Sequence, residues 1–323
     1  MPLLAAATLV GAVWAVGAAP GGTSSTGTVL GTGAGGDTGV TAPAQVGFTN
    51  PAARTRNRST CGARSTGPCP QANTVWSGYT IVEPLGRQIT TVSASWVQTK
   101  AKCSRGSDAW SLFWVGLDGA ANADNNHSVE QGGTSAQCEG GGSPVYEAWW
   151  EIYPANDVET TFPVAVGDHI SASVVYSDSD NTITITVDDT TSNNSLVAVV
   201  SDSAAADPDT YTLTVNGNTS GPDAFQSTLC GPSDPNGPCG TSAEWVVEAP
   251  SGAPGGLYPL AHFRPITFES AQATDAEGNQ GSIASPDWNT SALDLTSQAG
   301  LLLARVSGLD QKGTSFTDRW VHK

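Results

Sequence analysis

The sequence predicts an all-β protein built as a sandwich of two antiparallel sheets, and three observations carry that prediction. Gly, Ser, Thr and Asp are abundant, with 37 glycines in 323 residues, and no long stretch keeps a heptad or a 3.6-residue apolar period. Short runs rich in Val, Ile, Thr and Trp alternate with clusters of Gly, Pro, Asn and Asp, as strands alternate with turns. The spacing of those runs suits two packed sheets. A hydrophobic content of 38% is enough for one large core or two small ones, and neither a second domain nor an internal repeat is visible.

The chain opens with "MPLLAAATLVGAVWAVGAA" (1–19), an apolar run ending in small residues. It reads as a secretory signal cut after Ala18 or Ala19, although no Lys or Arg precedes it. Its length is near the lower limit of a membrane span, but its Ala and Gly content argues against an anchor. Residues 20–72 are Gly/Thr/Ser/Ala/Pro-rich and then dotted with Arg54, Arg56, Arg58 and Arg64. They read as a linker or prosegment, followed by a domain over 73–323. Strands are expected at 75–82, 89–98, 110–118, 127–132, 145–153, 168–176, 181–188, 196–201, 209–215, 243–249, 258–269 and 299–306. Residues 202–240 read as a long, disulfide-clipped excursion.

Charge narrows the partners. The chain has 13 Lys and Arg against 30 Asp and Glu, a net charge of −17. Such a surface repels phosphate backbones and excludes nucleic acid as a natural partner. The same shortage of bases suits an acidic medium, where carboxylates discharge and little positive self-repulsion builds up. A generic acidic secreted surface has the same composition. Six cysteines in no zinc or CxxC spacing point to three disulfides and to export. Cys61 with Cys69 and Cys230 with Cys239 would close short loops and leave Cys103 with Cys138, one of the fifteen connectivities that six cysteines allow.

Several chemistries fall away on residue types. Four histidines (His127, His169, His262, His322) show no ligand spacing, so neither metal nor cofactor is expected. There is no GxSxG elbow and no cysteine without a disulfide partner. "EGGGSP" lacks the Lys-Ser/Thr and helix of a phosphate loop. Carboxylates set among aromatics remain. "VYEAWWEIYP" (145–154) and "TSAEWVVEAP" (241–250) each carry two glutamates at i and i+4 on a strand. They share a face but lie about 13 Å apart, so neither pair acts on itself and a partner must come from a neighbouring strand. Glu244, Val246 and Glu248 share one face; Trp245 and Val247 point to the core.

Seven segments in order, "NTVWSGYTIV", "TTVSASWVQTK", "FWVGLDG", "SVEQGGT", "VYEAWWEIYP", "AEWVVEAP" and "LAHFRPITFESAQA", resemble the glutamic peptidases, the eqolisin or G1 family. The resemblance runs from about 73 to 306. It implies a concanavalin A-like, lectin- or glucanase-like sandwich of two large sheets around a cleft, acid endopeptidase activity insensitive to pepstatin, and a Gln/Glu dyad. In this chain the dyad is Gln131 and Glu248. The implied cleft residues are Trp114, Asp118, Glu147, Trp149, Glu151 and Tyr153, and Glu244 is a solvated or hydrogen-bonded supporter. Glu248 would take a proton from water with a near-normal or modestly raised pKa, while the amide of Gln131 orients that water and stabilises the oxyanion.

This chain departs from the family pattern. The segment between Asp118 and Gln131 is longer, Ser135 stands for an aspartate, Glu147 stands for an aspartate, and a cysteine before the glutamine is missing while Cys239 survives. Cys103 with Cys138 matches the family's other disulfide. The expected protein is therefore a secreted monomeric acid endopeptidase acting on proteins or peptides, made as a zymogen whose arginines at 54–64 cover the acidic cleft, with no stable membrane association. A noncatalytic lectin-like module binding polysaccharide through its ten tryptophans, and a glycosidase using Glu151 and Glu248, are the alternatives.

Overall fold

The computed structural model describes residues 67–82, 86–120, 128–153, 158–201, 209–225, 239–253 and 256–321. The expected signal and nearly all of the linker, together with Cys61, Cys230, His127 and His322, lie outside the described residues. In chain order the strands begin β1 (Gln71–Asn73), β2 (Trp76–Val82), β3 (Ile89–Val97), β4 (Ala101–Lys102), β5 (Ala109–Leu117), β6 (Val129–Cys138), β7 (Glu147–Tyr153) and β8 (Val158–Pro163). They continue as β9 (His169–Ser177), β10 (Thr182–Asp189), β11 (Asn194–Ser201), β12 (Asp209–Val215), β13 (Asn218–Phe225), β14 (Ser242–Glu248), β15 (Ser251–Ala253) and β16 (Gly256–Leu257). The last six are β17 (His262–Phe263), β18 (Ile266–Asp275), β19 (Gln280–Ser282), β20 (Asn289–Thr296), β21 (Leu302–Val306) and β22 (Phe316–Trp320).

Hydrogen bonding runs antiparallel through β8, β7, β6, β5, β14, β2 and β20. It passes through β21 and β22 into β18, β3, β9, β10, β11, β12 and β13. Only β1, beside β20, pairs in parallel among these strands. β5 and β6 pack face to face with β3, β9 and β10, which makes the expected two-layer sandwich.

The two layers differ because their sequences differ. On β10, "TITITVDD" buries Ile183, Ile185 and Val187 and turns its threonines outward, the alternation of a sheet wetted on one side. β5, β6 and β14 are buried along nearly their whole length. One of their faces joins the main core of Trp96, Phe113, Trp150, Trp245 and Phe268. The other holds a second apolar cluster around Trp76, Trp114, Trp149 and Val246. This double burial explains why "FWVGL" and "EWVVE" read as near-continuous apolar runs.

Some expected boundaries move, each for a physical reason. β6 was expected to stop at 132 and runs to Cys138, because its glycines serve close packing within the strand. A Cβ on Gly133 would lie 2.0 Å from the carbonyl oxygen of Phe113, and one on Gly132 would lie 2.5 Å from Ile185. The single strand expected over 258–269 is divided at Pro265 into β17 and β18, since proline has no N–H to donate. β1, ahead of the expected strands, pairs with β20 from Gln71. A disulfide joins Cys103 to Cys138, as expected. Cys69 and Cys239 are also disulfide-bonded.

Candidate active site

β14 places Glu244, Val246 and Glu248 on the face away from the main core, and it is hydrogen-bonded on both sides, to β2 and to β5. Pairing fixes what stands beside each glutamate. Glu244 is level with Gly116 on β5, which is level with Gln131 on β6 and then Glu151 on β7. Glu248 is level with Leu112 and Ser135. Glu244, Glu248, Gln131, Glu151 and Trp114 are all fully buried. Buried polar groups of this kind require partners.

The partners are specific. Trp114 donates its indole Nε1–H to Oε2 of Glu248 at 2.7 Å. Gln131 donates from Nε2 to Oε2 of Glu151 at 2.7 Å, which turns the amide oxygen away from Glu151. Oε1 of Glu248 and Oε1 of Gln131 each lack a hydrogen-bond partner among the described residues. Loss of solvent pushes Glu248 up to about 8, and the indoles of Trp114 and Trp76 act in the opposite direction. Trp76 lies close enough to favour the anion without completing a hydrogen bond. Asn73 holds the start of β2 by accepting from the amides of Val75 and Trp76 at 2.8 Å each.

A second set of carboxyls gathers where β5 and β6 meet the start of β14. Asp118, at a positive φ of 69°, accepts from the amides of Gly240 and Thr241 at 2.8 and 2.7 Å and from the Thr241 hydroxyl at 2.6 Å. Burial raises Asp118, while Thr241 and Gly240 oppose the rise. Glu130 is pushed well above the ordinary range, first by burial and then by the neighbouring Asp118 charge, so Glu130 carries the proton between them. Glu244 is raised in the same way by burial, opposed by the Ser242 hydroxyl.

The structure thus brings Gln131, Glu248, Trp114, Glu151 and Trp149 to one face and sets Tyr153, half-buried, against its apolar cluster. Glu147 sits half-buried at the outer end of the same strand, opposite Pro163. Asp118 clamps the start of β14, since its oxygens accept from that backbone, and it shares a carboxyl pair with Glu130. Of the two settings expected for Glu244, solvated or hydrogen-bonded, the structure has the second: it is buried and accepts the Ser242 hydroxyl. Trp76 and Glu130 are not marked by the sequence: a tryptophan in an apolar strand and a glutamate beside Gln131 carry no spacing signal of their own. The hairpin β15–β16 follows Glu248 directly, and its Leu257 packs on the second cluster. Among the described residues no group of His, Cys, Asp and Glu could hold a metal ion.

Comparison with solved structures finds the same fold. A scytalido-glutamic peptidase with a transition state analog inhibitor is 20% identical, with a TM-score of 0.55, covering 78% of this chain and 100% of that one. SCP-B, described as an eqolisin in complex with the tripeptide Ala-Ile-His, is 18% identical, with a TM-score of 0.53 and the same coverage. No curated protein matches the sequence. The family model of the Peptidase A4 family matches residues 74–209 and 202–314, which take in Gln131 and every carboxyl and tryptophan of the site described above. The chain belongs to that family, the glutamic peptidases or eqolisins, and is a peptide hydrolase.

Proposed function

We propose that the protein is a secreted, acid-acting endopeptidase that cleaves proteins with Glu248 and Gln131. One observation carries the reading: two buried acceptors on one face, Glu248 Oε1 and Gln131 Oε1, lack partners while their sister atoms are fixed by Trp114 and Glu151. A water molecule has two protons to give, and these two oxygens suit it. Glu248 takes one proton as the water oxygen bonds to the scissile carbonyl carbon and the C=O pair moves onto oxygen. The proton then passes from Glu248 to the leaving amine as the C–N bond breaks. The second hydrogen of the Gln131 amide is available to the oxyanion.

The acid range rests on the net charge of −17 and on the buried carboxyls, which a low pH keeps neutral. It sets a requirement on Glu248. With a value of about 8, above the near-normal or modestly raised one expected from sequence, the ionised base is scarce in acid. A polar substrate and its water must lower that value by solvating Oε1, in the direction in which Trp114 and Trp76 already act.

The test is hydrolysis of denatured protein between about pH 2 and 9 with pepstatin present. The expected result is activity in the wild type that falls about 10²–10⁴-fold in Glu248→Gln and strongly in Gln131→Ala. Full activity in Glu248→Gln would sink the dyad. A rate that climbs only through pH 8 would keep the dyad and reject acid action.

A further inference from the structure

Gln131 and Glu248 stand on different strands, and a buried carboxyl pair outside the hydrolytic scheme ties those strands together. Asp118 lies just past the end of β5 and is wholly buried. Its oxygens accept three hydrogen bonds from the residues that lead into β14: the amide of Gly240 at 2.8 Å, the amide of Thr241 at 2.7 Å and the Thr241 hydroxyl at 2.6 Å. Its own amide donates to the carbonyl of Ser242, the first residue of β14, at 3.0 Å. A further side-chain hydrogen bond joins it to Glu130, which is equally buried and immediately precedes Gln131 on β6.

Two carboxyl groups cannot hydrogen-bond each other unless one carries a proton. The hydrogen-bond pattern says which one. Asp118 already accepts three N–H and O–H donors, which favours its anion, so the proton is on Glu130 and Glu130 is the donor. No positive charge stands in for it. Glu130 is level with Leu117 on β5 and Ile152 on β7, and the Ser128 hydroxyl is a further partner. Glu244 on β14 is the third acid within reach, and the charges acting among the three are their own. Loss of the shared proton sets two anions against each other in a dry site.

We propose that Glu130 is a positioning residue for hydrolysis: a neutral acid whose hydrogen bond to Asp118 holds β5, β6 and the start of β14 together, and whose loss of a proton sets the upper pH limit of activity. The inference rests on the hydrolytic reading of Gln131 and Glu248. Alternation along β6 turns Glu130 to the face opposite Gln131, so it acts through other residues. One is Gln131, its neighbour in the chain; the other is Asp118, which grips the segment running into the strand of Glu248. No bond to substrate is made or broken by Glu130, and its proton leaves only to solvent. Below that limit the amide and the carboxylate of the dyad are aimed by one continuous hydrogen-bonded unit.

Two substitutions separate the donor from the side chain's bulk. Glu130→Gln keeps a donor at every pH, since an amide N–H replaces the acid O–H, while Glu130→Met keeps length and burial and removes it. The measurement is kcat and KM on one peptide substrate across the pH range, at a temperature where circular dichroism shows each variant folded. Glu130→Gln is expected to stay near wild type in acid and to carry the alkaline fall of kcat to higher pH. Glu130→Met should lose on the order of 10²-fold in kcat with little change in KM. A merely structural Glu130 would change the melting temperature and leave the alkaline limb in place. Glu130→Gln with its limb at the wild-type position therefore overturns the proposal, even if Glu130→Met does not fold. So do a wild type whose kcat never falls at high pH and a folded Glu130→Met with the wild-type profile. A wild type inactive at every pH would instead sink the hydrolytic reading itself, so the two failures are distinguishable.

Discussion

The indole of Trp114 spans from Glu248 to Gly116: its Nε1 donates to Glu248 Oε2 at 2.7 Å, while the far edge of the ring covers the glycine, where a Cβ would lie 2.8 Å from Cζ3. The same hypothetical Cβ would lie 3.2 Å from Cβ of Gln131 and 3.1 Å from the carbonyl oxygen of Glu130. Gly116 therefore sets the spacing between the tryptophan that holds Glu248 and the strand that carries Gln131.

Gly116→Ala is expected to push on both proposed catalytic side chains together. Overpacking of this kind costs about 1–3 kcal/mol, and misplacement by about 1 Å costs on the order of 10²-fold in rate. Thermal melts and kcat/KM check it. A variant with wild-type kinetics would show that the Trp114 ring moves aside freely.

Trp114→Phe keeps the ring and deletes the hydrogen bond. Because that bond holds down the pKa of Glu248 against the effect of burial, its loss raises Glu248 further. The limb of the pH–rate profile that reports the base is expected to move to higher pH, and kcat at acid pH to fall. An unmoved limb would assign the titration to another group.

Stability is expected to be greatest in acid. Asp318 on β22 is buried and pushed up from 3.8 to about 7, and Glu248 to about 8. Between about pH 4 and these values the folded chain holds protons that the unfolded chain has released, so stability falls as pH rises. For Asp318 alone the loss is roughly 4 kcal/mol across that window, at about 1.4 kcal/mol per unit. Melting temperatures should drop from pH 4 to pH 8, and Asp318→Asn should flatten the part below 7. A melting temperature that rises over this range would contradict the assignment.

The disulfide between Cys103 and Cys138 closes a loop of 35 residues, and it fixes the far end of β6, the strand of Gln131. Replacing both cysteines by serine is expected to cost roughly 3–4 kcal/mol, read as an earlier denaturant midpoint. An unchanged midpoint would mean that the paired strands alone hold that end.

Much of the sandwich is legible because its strands carry one of two patterns. Alternating "TITITV" gives β10, and the apolar "FWVGL" gives β5. The later strands are harder to read. In "NTSALDLT" of β20 the buried Ala292, Leu293 and Leu295 are outnumbered by polar residues, and Asp318 in β22 is a buried carboxyl in a strand. Both are placed by long-range pairing, which no local pattern encodes. At the site, Gln131, Glu248 and Glu151 are marked by carboxamide or carboxylate among aromatics. Trp76 approaches Glu248 because β2 pairs with β14 across more than 160 residues of sequence, and that approach is invisible in either segment alone. The high pKa of Glu248 is equally illegible, since it depends on burial among the tryptophans of the second cluster.

The hairpin that follows Glu248 is closed at its base, where the amide of Tyr258 donates to the carbonyl of Pro250 at 2.8 Å. Beyond that point Tyr258 stacks on Trp110, with ring centroids 5.1 Å apart. β15 and β16 thus form a hairpin tied at its base and pinned by Leu257 to the second cluster. Redesign of its other residues would change what borders the face while the interior strand that aims Glu248 keeps its register.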